Sequence, residues 1–287
     1  MTHPINAFHP EAAVAAGRAL PEHRTRAISV FMLGGALGLG LGPIISGAIA
    51  RTWGVAGLVG LMPVLIILIG VFWWTGRLGS LSPKTKTDAP RLSISEAFEG
   101  RGKLALAIFL ICSLRLVPNM AVAKVLSFML VGWGYDEFQT GLVQSLFLAA
   151  ASVGMFLMAF RFRAGSEKSF MIWCPIAGIP MLAIMGWPSC PSWLFMTMLI
   201  ATGLTLWGTI PAMVSYAQQQ FPKGAGMASA ITMGLAWGLG GIIQAPITAH
   251  FSETSHPQQA FFAFIPCLII SAIGARMLPP SHEPKAD

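Results

Sequence analysis

Long apolar stretches separated by short polar segments dominate the pattern of the chain. The run 169–222 contains no Asp, Glu, Lys or Arg and is long enough for two membrane-spanning helices, divided at the proline- and tryptophan-rich segment 187–193. The other apolar stretches cover 27–50, 55–75, 104–133, 138–160, 225–250 and 259–275. Because a transmembrane helix needs about 20 mainly apolar residues, the pattern predicts an all-α multi-pass membrane protein with eight transmembrane helices.

A glycine-rich sequence occurs twice, 200 positions apart. The recurring positions are Gly34 with Gly234, Ala36 with Ala236, Gly38 with Gly238, Leu39 with Leu239 and Gly40 with Gly240. Two prolines eleven residues apart precede each copy: Pro10 and Pro21 before the first, Pro211 and Pro222 before the second. We interpret this as an internal repeat whose unit has six predicted helices, because the copies lie in the first and the seventh. The chain then corresponds to helices 5–12 of a plan with two parallel six-helix halves, which is the plan of major facilitator transporters.

The repeat also predicts how the chain is divided. Residues 1–103 are predicted to be a remnant of the first half, holding the end of helix 4, helices 5 and 6, and a central cytoplasmic loop at about 76–103. Residues 104–287 are predicted to be a complete six-helix second half. Measured by this repeat, the first three helices and most of the fourth have no counterpart in the chain.

Composition excludes a soluble domain and points away from nucleic acid. Charged residues make up 10% of the chain, against about 25% in a typical soluble protein, while hydrophobic residues make up 55% and mean hydropathy is +0.69. The net charge is +7, but nearly all of the basic residues lie in loops between apolar stretches, so we expect no nucleic-acid partner. Four cysteines without a CxxC pair predict neither a metal site nor a disulfide framework. No nucleophile, phosphate-loop or cofactor motif is present, so we expect neither an enzyme nor a bound cofactor.

The distribution of basic residues predicts the orientation of the helices. If the N-terminus is cytoplasmic, fifteen of the 18 Lys and Arg residues fall in or beside inner loops, and Arg51 alone lies outside. The positive-inside rule therefore predicts that both termini are cytoplasmic in the cell membrane. Residues 1–20 lack the basic start and the apolar core of a signal peptide.

Two basic residues lie inside a predicted span. Arg115 is about eleven residues into its helix, which at 1.5 Å per residue is roughly 17 Å deep, near the bilayer centre. Asn119 follows one turn later on the same face. A guanidinium at this depth is suited to binding a carboxylate or phosphonate ligand. The alternative is a structural role, in which Arg115 acts as a hub that donates hydrogen bonds to backbone carbonyls. Lys124 lies near the other end of the helix on the opposite face, where its side chain is expected to reach the headgroups.

The first glycine-rich helix has the spacing of a packing face. Gly34, Gly38, Gly42 and Ser46 are four residues apart, so they predict a smooth surface that a neighbouring helix can approach closely. Pro43 removes one backbone hydrogen bond and permits a bend in the middle of the span. A helix of this kind suits a gate, and static packing is the alternative.

Several short motifs carry a resemblance to a known family. The motifs are Phe8-His-Pro-Glu11, Phe31-Met-Leu-Gly-Gly35, Leu41-Gly-Pro43, Tyr216-Ala-Gln218, Phe221-Pro222 and Met233-Gly-Leu-Ala-Trp-Gly-Leu-Gly-Gly241. In addition, the segment 38–47 resembles the fifth-helix antiporter motif GxxxGPxxGG, with Ser46 in place of one glycine. Over nearly its whole length, the chain resembles the fosmidomycin-resistance family of major facilitator exporters, from the end of the fourth helix to the twelfth.

The resemblance implies proton-driven export of small, often anionic or amphiphilic compounds by alternating access. Since no Asp or Glu lies inside a predicted span, the family position makes His9 and Glu11 the candidates for proton coupling, against the alternative of a capped helix end. Candidate cavity residues are Arg115, Asn119, Tyr216, Gln218 and Gln244. Candidate gating or helix-packing residues are Gly34, Gly38, Gly42, Pro43, Gly47, Gly234 and Gly238. The basic segment 161–168 departs from the superfamily's loop motif after the eighth helix.

Two classes of function therefore remain open. The first is a secondary transporter in the lipid bilayer that exports a small molecule. The second is an N-terminally truncated, non-transporting membrane subunit or gene fragment that acts only through assembly with other membrane proteins, one of which would replace the missing helices.

Overall fold

The computed structural model describes residues 16–17, 20, 23–74, 93–161 and 165–281. All regular structure in these ranges is helical. The predicted proton-coupling residues His9 and Glu11, the first proline pair and most of the central loop lie outside the described residues. The first motif of the family resemblance, Phe8-His-Pro-Glu11, lies outside them as well.

Eleven α-helices are present in the described residues. The first five are α1 (Arg24–Trp53), α2 (Met62–Trp74), α3 (Ile94–Ala97), α4 (Gly102–Gly132) and α5 (Glu137–Arg161). The other six are α6 (Glu167–Met185), α7 (Ser192–Thr202), α8 (Ile210–Gln220), α9 (Ala225–Ala230), α10 (Ala236–Ser252) and α11 (Ala260–Met277).

Seven of the described helical segments are long and apolar enough to cross a membrane. Two of them are interrupted by a π-helical turn: Gly203–Trp207 joins α7 to α8, and Ile231–Leu235 joins α9 to α10. The second predicted span is a shorter apolar segment, Val55–Val71, which begins as a 3-10 helix at Val55–Leu61. The predicted all-α multi-pass fold is confirmed, with one of the eight helices shorter than the sequence pattern suggested.

Helices α4 to α11 pack together around a shared apolar core. Glycines allow two of the closest approaches to α4. A Cβ added at Gly240 of α10 would lie 3.2 Å from the carbonyl oxygen of Ser113, and one added at Gly274 of α11 would lie 2.8 Å from the side chain of Ile111. Close-packed membrane helices gain van der Waals contact where small residues let backbones approach, which accounts for glycine at these positions.

Helix α1 lies antiparallel along α5. A Cβ added at Gly40 would be 3.5 Å from the backbone nitrogen of Ala149, and the Ile44 N–H donates a hydrogen bond of 2.9 Å to the hydroxyl of Ser145. On α5, a Cβ at Gly141 would lie 2.4 Å from the carbonyl oxygen of Pro43. The first glycine-rich helix is therefore fixed to the second half of the chain through α5.

The face of α1 that makes this contact differs from the expected one. For Gly34, Gly38 and Gly42, an added Cβ would meet no described heavy atom within 4 Å apart from the adjoining residues and backbone of its own helix, and all three residues are exposed. Gly47, which was also among the predicted gating or helix-packing residues, is buried, and its Cβ would be 2.7 Å from the carbonyl oxygen of Glu137. A four-residue spacing identifies a face that can pack, but the helix register against α5 selects the face through Gly40 and Gly47. Helix α1 continues through Pro43 without interruption.

Candidate binding site around a buried arginine

Arg115 is buried in the middle of α4, with only 2% of its surface exposed. Its guanidinium donates hydrogen bonds to Asn119 Oδ1 at 2.8 Å, to the Leu206 carbonyl oxygen at 2.7 Å and to Thr209 Oγ1 at 2.6 Å. The first contact follows from the one-turn spacing on α4. The other two tie α4 to the π-helical turn between α7 and α8.

Three side chains converge on the carbonyl of Leu206. Besides Arg115, the amide of Asn119 donates to it at 3.3 Å and the Thr209 hydroxyl at 2.8 Å. Leu206 lies in the π-helical turn Gly203–Trp207, and Pro211 stands five residues later, where a π-helical pattern would require an N–H. Proline has no N–H, so the π-type backbone donor to this carbonyl is missing, and the three side-chain donors hydrogen-bond to it.

The guanidinium has no carboxylate partner among the described residues. Their ion pairs join Arg51 to Asp136 and Arg101 to Glu99, both away from this site. Within the same ranges, Arg115 Nε is buried without a hydrogen-bond partner. A cation at the centre of a membrane-spanning helix costs about 2.5–3.5 kcal/mol on insertion scales, which makes Arg115 a candidate binding residue.

Trp207 provides a second buried donor at the same π-helical turn. Its indole Nε1 has no partner in the described part of the chain, and its ring packs edge-on against Trp237 of α10 at a centroid distance of 6.0 Å. Trp237 follows shortly after the other π-helical turn, Ile231–Leu235. The two interrupted spans therefore contact each other beside their π-helical turns. Such turns are frequent at functional sites.

The remaining predicted cavity residues have other partners. The Tyr216 hydroxyl donates to the Pro279 carbonyl at 2.9 Å, the Gln218 amide donates to Ser229 Oγ at 2.7 Å, and Gln244 Oε1 accepts from Thr248 at 3.3 Å. All three side chains are buried. Of the five predicted residues, the structure brings together Arg115 and Asn119, while the other three have hydrogen-bond partners elsewhere.

Comparison with known proteins identifies the family. The family described as Major Facilitator Superfamily matches residues 6–245, more than half of the chain. The chain belongs to the major facilitator superfamily.

Two curated relatives lie within this superfamily. The fosmidomycin resistance protein of Escherichia coli (strain K12) is 25% identical over 246 residues, which cover 82% of this chain and 58% of the relative. The uncharacterized MFS-type transporter YfnC of Bacillus subtilis (strain 168) is 29% identical over 282 residues, covering 92% of this chain and 66% of the relative. The chain thus spans less than two thirds of the length of either relative, and it is an integral multi-pass membrane protein of a transporter superfamily.

The sequence did not indicate several members of this site. Thr209 and the Leu206 carbonyl are hydrogen-bond partners of Arg115, and no local sequence pattern indicated either contact. Away from this site, Glu167 at the start of α6 is also buried: it is 1% exposed and accepts from Gln219 Nε2 at 2.6 Å and from Ser215 Oγ at 3.4 Å. Its burial depends on how α6 packs against α8, which no local pattern reveals.

Other predicted residues of this major facilitator chain lie apart from Arg115. Lys124 is exposed on α4, and its reach to the headgroups stays a prediction. Gly234 and Gly238 are exposed, with no described heavy atom within 4 Å of an added Cβ. The described residues contain no group of three or more His, Cys, Asp or Glu side chains able to hold a metal ion.

Proposed function

We propose that this chain is a secondary active transporter that exports a small molecule by alternating access. Membership of the major facilitator superfamily supports transport as the activity. The observation that carries the proposal is the buried Arg115 guanidinium, which binds the π-helical turn of the α7–α8 span and keeps Nε unsatisfied among the described residues.

We propose an anionic substrate for the same reason. Arg115 Nε and Trp207 Nε1 are both buried donors, and a carboxylate or phosphonate oxygen would satisfy a donor of this kind. The relative from E. coli is named a fosmidomycin resistance protein. Fosmidomycin, itself a phosphonate, is therefore the first compound to test. Asn119 would orient the guanidinium from the adjacent turn.

Expression in a fosmidomycin-sensitive host with its own exporters deleted tests this proposal. We expect resistance with the parent sequence, and its loss, by about tenfold or more in the inhibitory concentration, with Arg115→Ala. Lys124→Ala is the matched control, because it removes a cation from the exposed face of the same helix. Western blotting of membranes checks that each variant inserts equally.

Equal resistance from parent and Arg115→Ala would remove Arg115 from the binding site. If Arg115→Lys retained export and Arg115→Ala lost it, a positive charge at this position would be sufficient for substrate binding. Failure of Arg115→Lys as well would indicate that the planar guanidinium is needed to contact both Leu206 and the substrate.

Orientation and coupling form a further part of the proposal. We place both termini in the cytoplasm, with His9 and Glu11 in proton coupling and the open glycines of α1 and α10 (Gly34, Gly38, Gly42, Gly234 and Gly238) at moving helix contacts. Pro43 and Gly47 complete the proposed gating helix.

Accessibility of single cysteines near each terminus to an impermeant maleimide in right-side-out vesicles tests the orientation. Labelling of either terminus from outside would overturn it.

A second candidate function rests on the length of the match. The aligned part of the chain covers 58% and 66% of the two relatives, and the exposed face of α1 at Gly34, Gly38 and Gly42 has the composition of a helix-packing surface. In this alternative, the chain acts only when further transmembrane helices from a membrane partner or an upstream coding segment complete it. Fosmidomycin resistance that requires co-expression of the upstream segment would favour assembly over transport by the chain alone.

A further inference from the structure

The four residues after α11, Leu278–Ser281, form a short extended segment that we call the C-terminal strap. Leu278 has φ −66° and ψ 156°, which lies in the polyproline II region, and two prolines follow it. Polyproline II makes no internal hydrogen bonds, so every carbonyl of such a segment is available to other groups. Leu278 is 5% exposed and anchors the start of the strap in the bundle.

Three consecutive carbonyls of the strap each accept a hydrogen bond from a different side chain. Lys168 Nζ donates to the Leu278 carbonyl, the Tyr216 hydroxyl to that of Pro279 at 2.9 Å, and Gln220 Nε2 to that of Pro280 at 3.1 Å. In addition, the Lys168 N–H donates to the Ser281 hydroxyl at 3.1 Å.

These donors come from two neighbouring helices. Lys168 is in the first turn of α6, whereas Tyr216 and Gln220 are one turn apart near the end of α8. Because the strap contacts both at once, it ties the start of α6 to the end of α8. Tyr216 is fully buried, so the strap carbonyl also satisfies a hydroxyl that would otherwise lack a partner at some cost.

The end of α8 is also held from its other side. Arg101, which precedes α4, donates to the Gln220 carbonyl, and its guanidinium lies 5.0 Å from the centre of the Phe221 ring. Gln220 therefore joins the strap through its side chain and the start of α4 through its backbone. At its other end, α8 begins just beyond the π-helical turn Gly203–Trp207. Helix α8 is therefore eleven residues long, with the π-helical turn before it and with contacts to both the strap and Arg101 at its end.

We propose that the C-terminal strap is a latch on α8: while it is bound, the ends of α6 and α8 stay together, and its release lets α8 tilt about the π-helical turn. Irregular helix geometry is a recognised place for a hinge, and a few hydrogen bonds suffice to shift a two-state equilibrium. The latch does not depend on the identity of the substrate or on transport by the isolated chain.

Cysteine accessibility in native membranes tests the latch. The reporter is Ser215→Cys on α8, at a residue with no exposed surface, in the full chain with Cys112, Cys174, Cys190 and Cys267 replaced by alanine. The strap is removed by ending the chain at Met277, and the matched control ends at Ser281. We expect N-ethylmaleimide to label the strapless chain about tenfold faster or more, equivalent to about 1.4 kcal/mol, while the control keeps the parent rate.

Two further measurements keep the test decisive if the strapless chain is poorly folded. Tyr216→Phe in the full-length chain removes one donor without shortening the chain, and we expect it to raise the labelling rate several-fold. A second reporter, Ser113→Cys, is equally buried and lies in α4, which is neither of the two helices that the strap joins. Equal labelling of Ser215→Cys with and without the strap would overturn the latch. So would a parallel rise at Ser113→Cys, because the whole bundle would then have loosened.

Discussion

Glycines determine how closely the helices of this bundle approach at several contacts. At Gly154 of α5, an added Cβ would lie 2.1 Å from the Leu204 carbonyl oxygen, and at Gly203 it would lie 2.6 Å from that of Phe147. These contacts are with backbone atoms, which cannot rotate away as a flexible side chain can. The α5 helix therefore depends on glycine where it meets the π-helical turn that Arg115 binds.

Gly154→Ala should destabilise the bundle. The methyl group must displace the backbone of Leu204, and overpacking of this kind typically costs about 1–3 kcal/mol. Thermal unfolding in detergent, followed by fluorescence-detected size exclusion, measures the effect. Gly132→Ala is the control, because that helical glycine has no described heavy atom within 4 Å of an added Cβ. Equal midpoints for the two variants would contradict the prediction.

The environment of Arg115 was only partly predictable from the sequence. Its depth in an apolar run and the one-turn spacing to Asn119 were predictable, because both follow from helical geometry. Its partners on the α7–α8 span were not, because they are 91 and 94 residues away in the sequence. The structure gives Arg115 the hub role that the sequence left open, while its unsatisfied Nε keeps the binding role available.

At the scale of elements, α3 is a one-turn helix that depends on its cap. Ser93 and Glu96 form a capping box: Ser93 Oγ accepts from the Glu96 N–H, and Glu96 Oε2 accepts from the Ser93 N–H at 2.8 Å. The Ser93 hydroxyl and, secondarily, its N–H lower the pKa of the Glu96 carboxyl below its usual 4.5. A helix this short has little stability of its own, so the cap determines its order.

Hydrogen exchange should report the loss of this cap at low pH. Because the Glu96 pKa is lowered on folding, its contribution is complete above about pH 4.5 and is lost as the pH falls through the lowered value. After correction for intrinsic rates, protection of the Ala97 amide should be constant from pH 7 to 5 and decrease below about 4.5. Ser93→Ala should remove that protection at pH 7, whereas Ser95→Ala should not. Protection unchanged at pH 3 would contradict the role of Glu96.

Tertiary contacts then hold α3 against the bundle. Ala97 is 1% exposed, and a Cβ added at Gly224 would lie 2.2 Å from its carbonyl oxygen. Phe98 packs edge-on against Phe221 with ring centroids 5.1 Å apart. The end of the central loop is thereby fixed to the loop between α8 and α9.

Gly224→Val should release α3 while leaving the spans intact. The φ of −108° at Gly224 is outside the left-handed region that favours glycine, so the main effect of the substitution is the clash with Ala97. We expect limited trypsin digestion after Arg101 to become several-fold faster, because the released segment is no longer held against Phe221. Gly132→Val serves as the control for a bulky residue at an open position. Unchanged digestion would show that α3 does not need this contact.

At the scale of the whole molecule, α1 is attached to the second half through α5. The contact runs antiparallel from Gly40 beside Ala149 to Gly47 beside Glu137. The Ile44–Ser145 hydrogen bond lies between these two points. Parts of the chain that the sequence assigned to different halves therefore hold together by direct helix packing.

Separate co-expression of residues 1–84 and 85–287 tests this attachment. Because α1 packs on α5, we expect the two fragments to be recovered together from detergent-solubilised membranes. Gly47→Leu should reduce recovery several-fold, since its Cβ would lie 2.7 Å from the Glu137 carbonyl oxygen. Gly38→Leu is the matched control on the open face of the same helix. Loss of recovery with Gly38→Leu and not with Gly47→Leu would reverse the assigned packing face.

The sequence by itself determined the class of protein, the approximate positions of its spans and the buried arginine. Each of these follows from local quantities: apolar length, charge spacing and the one-turn periodicity of a helix. The glycine spacing also identified α1 as a packing helix.

Only the tertiary structure decided which surfaces meet. It selected Gly40 and Gly47 over Gly34, Gly38 and Gly42, gave Arg115 its partners at the π-helical turn, and placed Tyr216 and Gln220 on the C-terminal strap. These outcomes depend on helix register and on contacts between residues far apart in the chain. The physical reason is that a helix offers several faces with similar chemistry, and the bundle as a whole selects the face that packs most closely.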